Sequence, residues 1–249
     1  MDFSVIIPAR YASSRLPGKP LRRINGKPLL QYVFECAQHC GAQQVVVATD
    51  DVRIRDVAEG FGAQVCMTSP THRSGTDRLA EVVDQLNLRN EQIVVNLQGD
   101  EPLMPVSLIQ QVATNLHLQV QASVATLCEP IRTAADLFSP NITKVVMDSV
   151  GHALYFSRAP IPWDRTAFSA NPHDLPLNSS YHRHIGLYAY RVNFLREFVQ
   201  WPVCALEKAE SLEQLRVLWN GRKIHVGLAV ATPGPGVDTE EDVARVELL

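Results

Sequence analysis

Residues 4–20 decide the fold, and they read Ser4-Val-Ile-Ile-Pro-Ala-Arg-Tyr-Ala-Ser-Ser-Arg-Leu-Pro-Gly-Lys-Pro20. The run 4–8 is short and apolar, which is typical of a buried strand in a parallel sheet. A loop of glycine, proline and basic residues follows it over residues 9–20. The loop therefore leaves the carboxyl end of a strand, where open α/β sheets bind their ligands.

The basic residues of the chain are concentrated around this loop. Residues 3–34 contain no Asp or Glu and six basic residues, namely Arg10, Arg15, Lys19, Arg22, Arg23 and Lys27. The whole chain of 249 residues carries a net charge of −3, so the remaining 17 basic and 26 acidic residues give −9. The overall acidity argues against nucleic-acid binding, whereas the local cluster suits a compact anion such as a triphosphate.

A solvated basic loop is the competing explanation for this cluster, and we favour a function because the loop is acid-free and follows a strand. The two common phosphate-binding motifs are not the explanation. Gly18-Lys19 is followed by Pro20 rather than Ser or Thr, and the sequence has no GxGxxG motif. The sequence thus predicts an anion site without a P-loop and argues against a dinucleotide-dependent dehydrogenase.

Composition places the chain among ordinary globular proteins. Apolar residues make up 46% and charged residues 20% of it. The five cysteines form no CxxC pair, which disfavours a disulfide framework or a zinc ribbon. The N-terminal residues do not resemble a signal peptide, and no apolar run approaches the ~18 residues of a membrane span. We therefore expect a cytoplasmic protein that does not bind membranes.

Helical and strand patterns alternate through the first half of the chain. Apolar runs predict strands at 45–49, 64–67, 93–97 and 122–127, and apolar spacing predicts helices at 28–37, 52–60 and 76–88. This βαβα order predicts an α/β fold in which helices cover both faces of a mostly parallel sheet.

The pattern changes after Pro140. Residues 142–148 and 152–157 are predicted to form a hairpin, 160–180 an irregular segment, 184–191 a strand, 207–219 a helix and 224–230 a strand. A last helix is predicted from Glu240. We interpret 1–249 as a single domain, with an antiparallel excursion over roughly 140–191 that is either an inserted subdomain or a dimerisation element.

Two aspartates are candidates for binding Mg²⁺. Asp100 follows the predicted strand 93–97 in Gln98-Gly-Asp-Glu-Pro102, and Asp238 lies in Gly236-Val-Asp-Thr239 before the last helix. Mg²⁺ takes one or two carboxylates and completes its octahedron with water and phosphate oxygens. A turn role is equally compatible with Asp100 alone, and a helix cap is the better explanation of Asp238 alone.

The ordered motifs resemble those of the sugar-nucleotide cytidylyltransferases. The similarity runs from the loop 7–21 through Ser74-Gly-Thr-Asp-Arg78, 96–102, 155–163, 184–190, 206–216 and 236–239, and only 164–181 matches no motif. The resemblance implies a Rossmann-like nucleotidyltransferase fold and a homodimer. It also implies transfer of CMP from CTP to the anomeric hydroxyl of 3-deoxy-manno-octulosonate (Kdo), with Mg²⁺ and release of pyrophosphate, for lipopolysaccharide biosynthesis.

The resemblance also implies residue roles. The expected CTP-binding residues are Ala9, Arg10, Arg15, Lys19, Ser74, Gly75, Arg78 and Gln98. The expected sugar-binding residues are Gln98, Arg158, His184, Tyr188, Glu210, Glu213 and Gln214. Asp100 and Asp238 would hold the metal, and Lys19, Arg15 and Asp100 would be catalytic. A guanidinium binds a carboxylate bidentately, which makes Arg158 a suitable partner for the acid group of Kdo.

Two alternatives remain open at the level of sequence. A sister cytidylyltransferase could use an amino-Kdo or a sialic-type acid, and the pocket around Arg158 and His184 would discriminate between these sugars. A non-catalytic nucleotide-binding regulator could share the fold, although a pure binder need not keep the Asp100 and Asp238 pair. Glu210 and Gln214 are predicted to lie i,i+4 on one helix and to face the same way.

Overall fold

The structure, a computed structural model, describes residues 1–12, 16–72, 74–170, 174–176 and 180–248. Arg15 lies outside the described residues. The strands are β1 Phe3–Ala9, β2 Arg23–Ile24, β3 Lys27–Pro28, β4 Gln44–Thr49, β5 Gln64–Met67, β6 Ile93–Asn96, β7 Val124–Pro130, β8 Lys144–Met147, β9 Ala153–Ser157, β10 His182–Arg191 and β11 Ile224–Leu228. The helices are α1 Leu29–Gln38, α2 Val52–Gly60, α3 Gly75–Gln85, α4 Val106–Leu118, α5 Ala134–Phe138, α6 Arg165–Ala170, α7 Val192–Phe198, α8 Ala205–Glu210, α9 Leu215–Trp219 and α10 Glu240–Glu247.

The main sheet has the strand order β11-β7-β10-β6-β1-β4-β5. β1 pairs in parallel with both β4 and β6, and β7 pairs in parallel with β11. From β1 the chain proceeds outward through β4 and β5, and it then returns to the other side of β1 as β6. The carboxyl ends of β1 and β6 therefore flank the topological switch point, where sheets of this kind bind ligands.

The core lies on both faces of this sheet because apolar residues of the central strands point alternately to either side. Val5 and Ile7 of β1 pack with Leu30 of α1 and Leu108 of α4 on one face. Ile6 packs on the other face with residues of α3, α7 and α9. The residues of β1 are buried at consecutive positions, as expected of a central strand in a parallel sheet.

The predicted α/β fold with a mostly parallel central sheet is confirmed. The strand β10 is the exception to the parallel arrangement, since it pairs antiparallel with β6 and β7 in the middle of the sheet. The predicted hairpin is formed by β8 and β9, and β8 also pairs with the start of β10. The expected excursion 140–191 is thus part of the main sheet, with β10 between β6 and β7 and the hairpin β8–β9 attached to β10. The single-domain division itself stays a prediction.

Two predictions of local structure were wrong. The segment 160–180, predicted to be irregular, contains the helix α6. The helix predicted over 207–219 is broken into α8 and α9, because Ser211 has a left-handed backbone with φ 53° and ends α8. Leu212, which follows the break, is buried against the core face that carries Leu215.

A separate small core attaches the C-terminal helix to the basic loop. Val237, Val243 and Val246, from α10 and the segment before it, pack against Leu16, Ile24 and Leu29. A backbone hydrogen bond of 2.9 Å from Val237 N to Asp100 O ties the same segment to the loop after β6. This packing brings three distant parts of the chain to the switch point.

Candidate active site

The loops after β1 and β6 touch at the switch point. A Cβ atom on Gly99 would lie 2.9 Å from the backbone oxygen of Pro8, which is closer than real Cβ contacts come. Only glycine fits this approach without a shift of the backbone. Across the same end of the sheet, the guanidinium of Arg10 donates a 2.7 Å hydrogen bond to the backbone oxygen of Ser74. Three sequence motifs therefore meet at one place.

Lys19 forms salt bridges with both predicted metal ligands. Its Nζ atom lies 2.6 Å from Oδ2 of Asp100 and 2.9 Å from Oδ1 of Asp238. Burial lowers the pKa of Lys19, but the two carboxylates outweigh burial and hold the pKa above its ordinary value. The ammonium is therefore charged and is shared between two carboxylates that lie within reach of one cation.

Asp238 reaches this position through local capping at α10. The Thr239 side chain caps the helix by accepting from Asp242 N, and Asp242 accepts in turn from the backbone of Thr239. The Asp242 carboxylate also accepts from Asp238 N at 2.9 Å. The cap of this helix is therefore Thr239, and the Asp238 carboxylate remains available to Lys19. The helix-cap explanation of Asp238 was wrong.

The donor set fits Mg²⁺ as a partner of phosphate rather than as an ion in a closed protein cage. No group of three or more His, Cys, Asp or Glu placed to hold a metal occurs within the described ranges. Asp100 and Asp238 converge on one ammonium, and one or two carboxylates are what Mg²⁺ takes when phosphate supplies further oxygens. The residues present are compatible with the predicted ion.

Glu101 is a third carboxyl at this site, and the sequence analysis assigned it no role. Its pKa is raised to about 7, mainly by burial and also by the negative charges of Asp100 and Asp238. Its side chain also approaches Gly236, where an added Cβ would lie 3.1 Å from Oε1. The concentration of carboxyl groups here shows that the site favours a cation.

The N-terminus of α3 faces the basic loop. Ser74 caps this helix through a reciprocal capping box with Asp77, and Gly75 is its first residue. A Cβ atom on Gly75 would be 3.7 Å from the Pro8 ring, so the helix begins directly beside the end of β1. An N-terminal helix end offers N–H groups to an anion. The predicted contact of Ser74 and Gly75 with a nucleotide stays a prediction.

Arg78 occupies a different environment from the one expected of a nucleotide contact. Its side chain is fully buried, with Nη2 2.9 Å from Oδ2 of Asp50 and Nη1 bonded to Thr68 Oγ1. These contacts link α3 to the ends of β4 and β5. The described contacts of Arg78 therefore hold the framework under the site, and contact with the nucleotide stays a prediction.

A cavity of about 120 Å³ lies next to the switch point. It is lined by Gly75, Thr76, Asn96, Gln98, Val124, Tyr188, Tyr190, Phe198, Glu213, Gln214 and Val217. Four predicted sugar-binding residues, which are Gln98, Tyr188, Glu213 and Gln214, are thus brought together. Burial raises the pKa of Glu213, whose Oε2 accepts a 2.9 Å hydrogen bond from the Thr76 hydroxyl.

Arg158 and Glu210 form a unit of their own. The Glu210 carboxylate accepts from Ser157 Oγ at 2.6 Å and from Arg158 N at 2.9 Å. The Arg158 side chain donates back to Glu210 O at 2.7 Å and to Pro140 O at 2.8 Å. The structure thus brings together these two sugar-site candidates, but it does not place Glu210 and Gln214 on one helix. That prediction was wrong, because α8 ends at Glu210 and Gln214 caps α9.

His184 connects the two groups of sugar-site candidates. Its ring centroid lies 5.2 Å from that of Tyr188, which lines the cavity, and 5.1 Å from that of Phe156, which precedes Ser157. Burial lowers the pKa of His184 to about 3, so the imidazole is neutral near neutral pH.

Several residues of the site carried no usable signal in the sequence. Thr76, Asn96 and Tyr190 line the cavity although each looks like an ordinary helix or strand residue. Lys144 is buried, and its ammonium donates to the backbone oxygens of Ser139, Ile142 and Arg158 at 2.5–2.8 Å. Glu101 stood inside a recognised motif, and its position beside Asp100 was the one signal that could have identified it.

Known proteins resemble this chain over most or all of its length. A family model described as Cytidylyltransferase matches residues 4–224. The 3-deoxy-manno-octulosonate cytidylyltransferase of Idiomarina loihiensis is 56% identical over 100% of this chain and 98% of its own length. The protein of the same name from Pseudomonas fluorescens is 57% identical over 99% of this chain and 97% of its own length.

Solved structures give the same result. A CMP:2-keto-3-deoxy-manno-octonic acid synthetase in complex with CTP superposes with a TM-score of 0.90 at 42% identity, over 100% of this chain and 98% of that chain. A cytidylyltransferase from Leptospira borgpetersenii has a TM-score of 0.63 at 17% identity, over 99% of this chain and 85% of that chain, and it shares the fold.

The chain is a nucleotidyltransferase, and a cation with paired carboxylates at the switch point of the sheet suits that class. The relatives that match over the full length identify a group within this class. The chain belongs to the cytidylyltransferase family, in the group of the 3-deoxy-manno-octulosonate cytidylyltransferases.

Proposed function

We propose that this protein transfers CMP from CTP to the anomeric hydroxyl of Kdo and releases pyrophosphate, and that it requires Mg²⁺. The observation that carries the proposal is the convergence of Lys19, Asp100 and Asp238 at the switch point. The relatives that extend over the whole chain are named for this reaction, which supports the same substrates. CMP-Kdo made in this way would serve lipopolysaccharide biosynthesis.

The nucleotide half of the reaction needs charge neutralisation and positioning more than covalent catalysis. Arg10 and Lys19, together with the N-terminus of α3, surround the place where a triphosphate would lie. Lys19 would leave its carboxylate partners for the phosphates and stabilise the charge that develops on pyrophosphate. Arg15 is proposed to assist, although it lies outside the described residues, and the backbone near Ala9 is proposed to contact the base.

The proposed metal would be held by Asp100 and Asp238. Bound Mg²⁺ neutralises phosphate charge and favours ionisation of an attacking hydroxyl. The two carboxylates that now share the Lys19 ammonium would hold the metal once Lys19 has turned to the phosphates. Gln98, which lines the cavity between these carboxylates and the sugar candidates, would contact sugar or ribose.

The sugar acid would enter the cavity and the adjoining Arg158 region. The Arg158 contacts to Glu210 O and Pro140 O use Nε and Nη1, so the protons of Nη2 can pair with a carboxylate. Tyr188, Glu213 and Gln214 would contact hydroxyls from the cavity wall. In this proposal the acid group of the sugar would lie at Arg158 and the reacting hydroxyl would face the nucleotide.

We also propose that the protein is a cytoplasmic homodimer. No helix of sufficient length and apolarity to cross a membrane occurs among the residues that the structure describes. Light scattering should give twice the chain mass of 27.7 kDa. A monomeric mass at micromolar concentration would contradict the dimer and leave the proposed reaction unaffected.

A substrate screen tests the proposed reaction. Kdo, 8-amino-Kdo and a sialic acid are each combined with CTP, UTP, ATP or GTP, and pyrophosphate release is followed with and without Mg²⁺. We expect the highest kcat/KM for CTP with Kdo and no release without Mg²⁺. Release with another sugar acid but not with Kdo would assign the protein to a sister reaction, and no release with any pair would favour a regulator.

A further inference from the structure

The hydroxyl of Thr126 makes three close polar contacts in the interior of the sheet. Thr126 is fully buried on β7 between β10 and β11. Its Oγ1 lies 2.9 Å from Nε2 of His184, 3.0 Å from Ile185 O and 2.8 Å from Leu187 O. Both carbonyls belong to the bulge where the pairing of β10 with β7 shifts register between Ile185 and Tyr188.

Proton counting fixes the direction of these hydrogen bonds. A threonine hydroxyl has one proton and two lone pairs, whereas a carbonyl oxygen can only accept. If the proton pointed at His184, two buried carbonyl oxygens would face the Thr126 oxygen with no proton between them. The proton therefore goes to the carbonyls of the bulge, and Thr126 Oγ1 accepts a hydrogen bond from the His184 ring.

We propose that Thr126 is a positioning residue that fixes His184 in the tautomer protonated on Nε2, so that Nδ1 is left as a hydrogen-bond acceptor for a sugar hydroxyl. The tautomer of a neutral histidine is set by the hydrogen bond of its other nitrogen. Thr126 itself would not touch the substrate. The sugar contact rests on the proposed function, whereas the tautomer follows from the contacts of the apoprotein alone.

The surroundings of His184 support a neutral and fixed ring. Phe156 lies nearly perpendicular to it, with an interplanar angle of 80°, and Tyr188 packs on it at 51°. Burial lowers the pKa of His184 to about 3, so the ring stays neutral when the pocket fills at neutral pH. Among the described residues, the bond to Thr126 is the hydrogen bond that the imidazole makes.

An acceptor at Nδ1 has a consequence for selectivity. A bare imidazole nitrogen takes a hydrogen bond from a hydroxyl but repels a carboxylate, whereas an N–H would favour the carboxylate. Arg158 would bind the acid group of the sugar, and His184 would accept from a hydroxyl. The two side chains would thereby bind chemically different groups of the ligand.

The tautomer is tested directly by long-range ¹H–¹⁵N NMR on the full chain labelled at histidine, with His184 assigned by loss of its signals in His184→Gln. We expect the pattern of a neutral ring protonated on Nε2 in the wild type and in Thr126→Ser, which keeps the hydroxyl. A ring protonated on Nδ1 in the wild type would overturn the proposal, whatever the activity.

The functional consequence is tested with Thr126→Val, which keeps the shape of the side chain and removes the hydroxyl. We expect the KM for Kdo to rise about fivefold, as for the loss of one hydrogen bond, with the KM for CTP unchanged. Thr126→Ser should restore the KM for Kdo to within about twofold. An unchanged KM for Kdo in a folded Thr126→Val protein would overturn the positioning role. Wild-type protein with the expected tautomer but no activity on Kdo would instead contradict the proposed function alone.

Discussion

Lys19 donates a 2.6 Å hydrogen bond to Asp100 across 81 positions of sequence. The same ammonium reaches Asp238, which lies 219 positions away. The bonds join the basic loop after β1, the loop after β6 and the start of α10. The order of strand addition reverses between β1 and β6, and the three segments therefore meet where a ligand is expected.

Replacement of Lys19 with Met removes the cation and keeps most of the side-chain volume. We expect kcat/KM for CTP to fall by about 100-fold, which is the usual effect of removing one group that stabilises developing charge. The matched control is Lys27→Met, because Lys27 belongs to the same basic cluster but pairs with the half-exposed Glu35. Steady-state pyrophosphate release measures both. Equal losses in the two variants would show that only the general charge of the region matters.

Asp100→Asn and Asp238→Asn test the proposed metal ligands. Each should abolish turnover at saturating CTP and weaken the dependence of activity on Mg²⁺ concentration, because an amide supplies no charge to the ion. Circular dichroism should show folded proteins. Asp84→Asn serves as the control, since Asp84 pairs with Arg196 on the surface. Near-normal turnover of Asp100→Asn would refute its role.

Arg78 is expected to act on stability. Arg78→Met would leave Asp50 without its buried partner, and loss of one member of a buried pair costs about 3–5 kcal/mol. Urea unfolding should show this loss, and Asp50→Asn added to Arg78→Met should recover part of it. If support of the framework is the only role of Arg78, the KM for CTP of the folded fraction should change little. A large rise in that KM with unchanged stability would instead make Arg78 a nucleotide contact.

Acid should destabilise the protein through His184. Its pKa is about 3 in the folded protein and about 6.5 in an unfolded chain, so the unfolded chain binds more protons between these values. The free energy of unfolding must therefore fall as the pH falls from about 6.5 toward 3. Urea unfolding of the wild type and of His184→Gln over this range measures the effect. We expect a shallower pH dependence in the variant, and parallel curves would contradict a buried neutral His184.

Local sequence patterns were sufficient to predict the parallel half of the sheet. β1 and the loop after it carry a buried apolar run followed by an acid-free cluster, and both features depend on neighbouring residues. The position of Asp100 at the edge of the sheet could be predicted, because it lies in the short loop that follows a predicted central strand. The segment that contains β10 was expected to be antiparallel, but its position between β6 and β7 did not follow, since that position depends on a long connection and not on its own residues.

The failures at the site have physical reasons of the same kind. The segment 207–219 has a helical pattern, yet Ser211 adopts a left-handed backbone that no local pattern indicates, so Glu210 and Gln214 are separated. The nucleotide role of Arg78 stays a prediction, and only its burial against Asp50 of another loop had no local signal. Thr126 and Glu101 acquire their roles only from neighbours that the fold brings to them.

The most direct measurement of the central claim is ³¹P NMR of a reaction mixture that contains the protein, CTP, Kdo and Mg²⁺. The account predicts that the triphosphate signals are replaced, in equal amounts, by a phosphodiester signal of CMP-Kdo and by pyrophosphate. Persistence of CTP in the presence of Kdo, or release of pyrophosphate without a new phosphodiester, would contradict it.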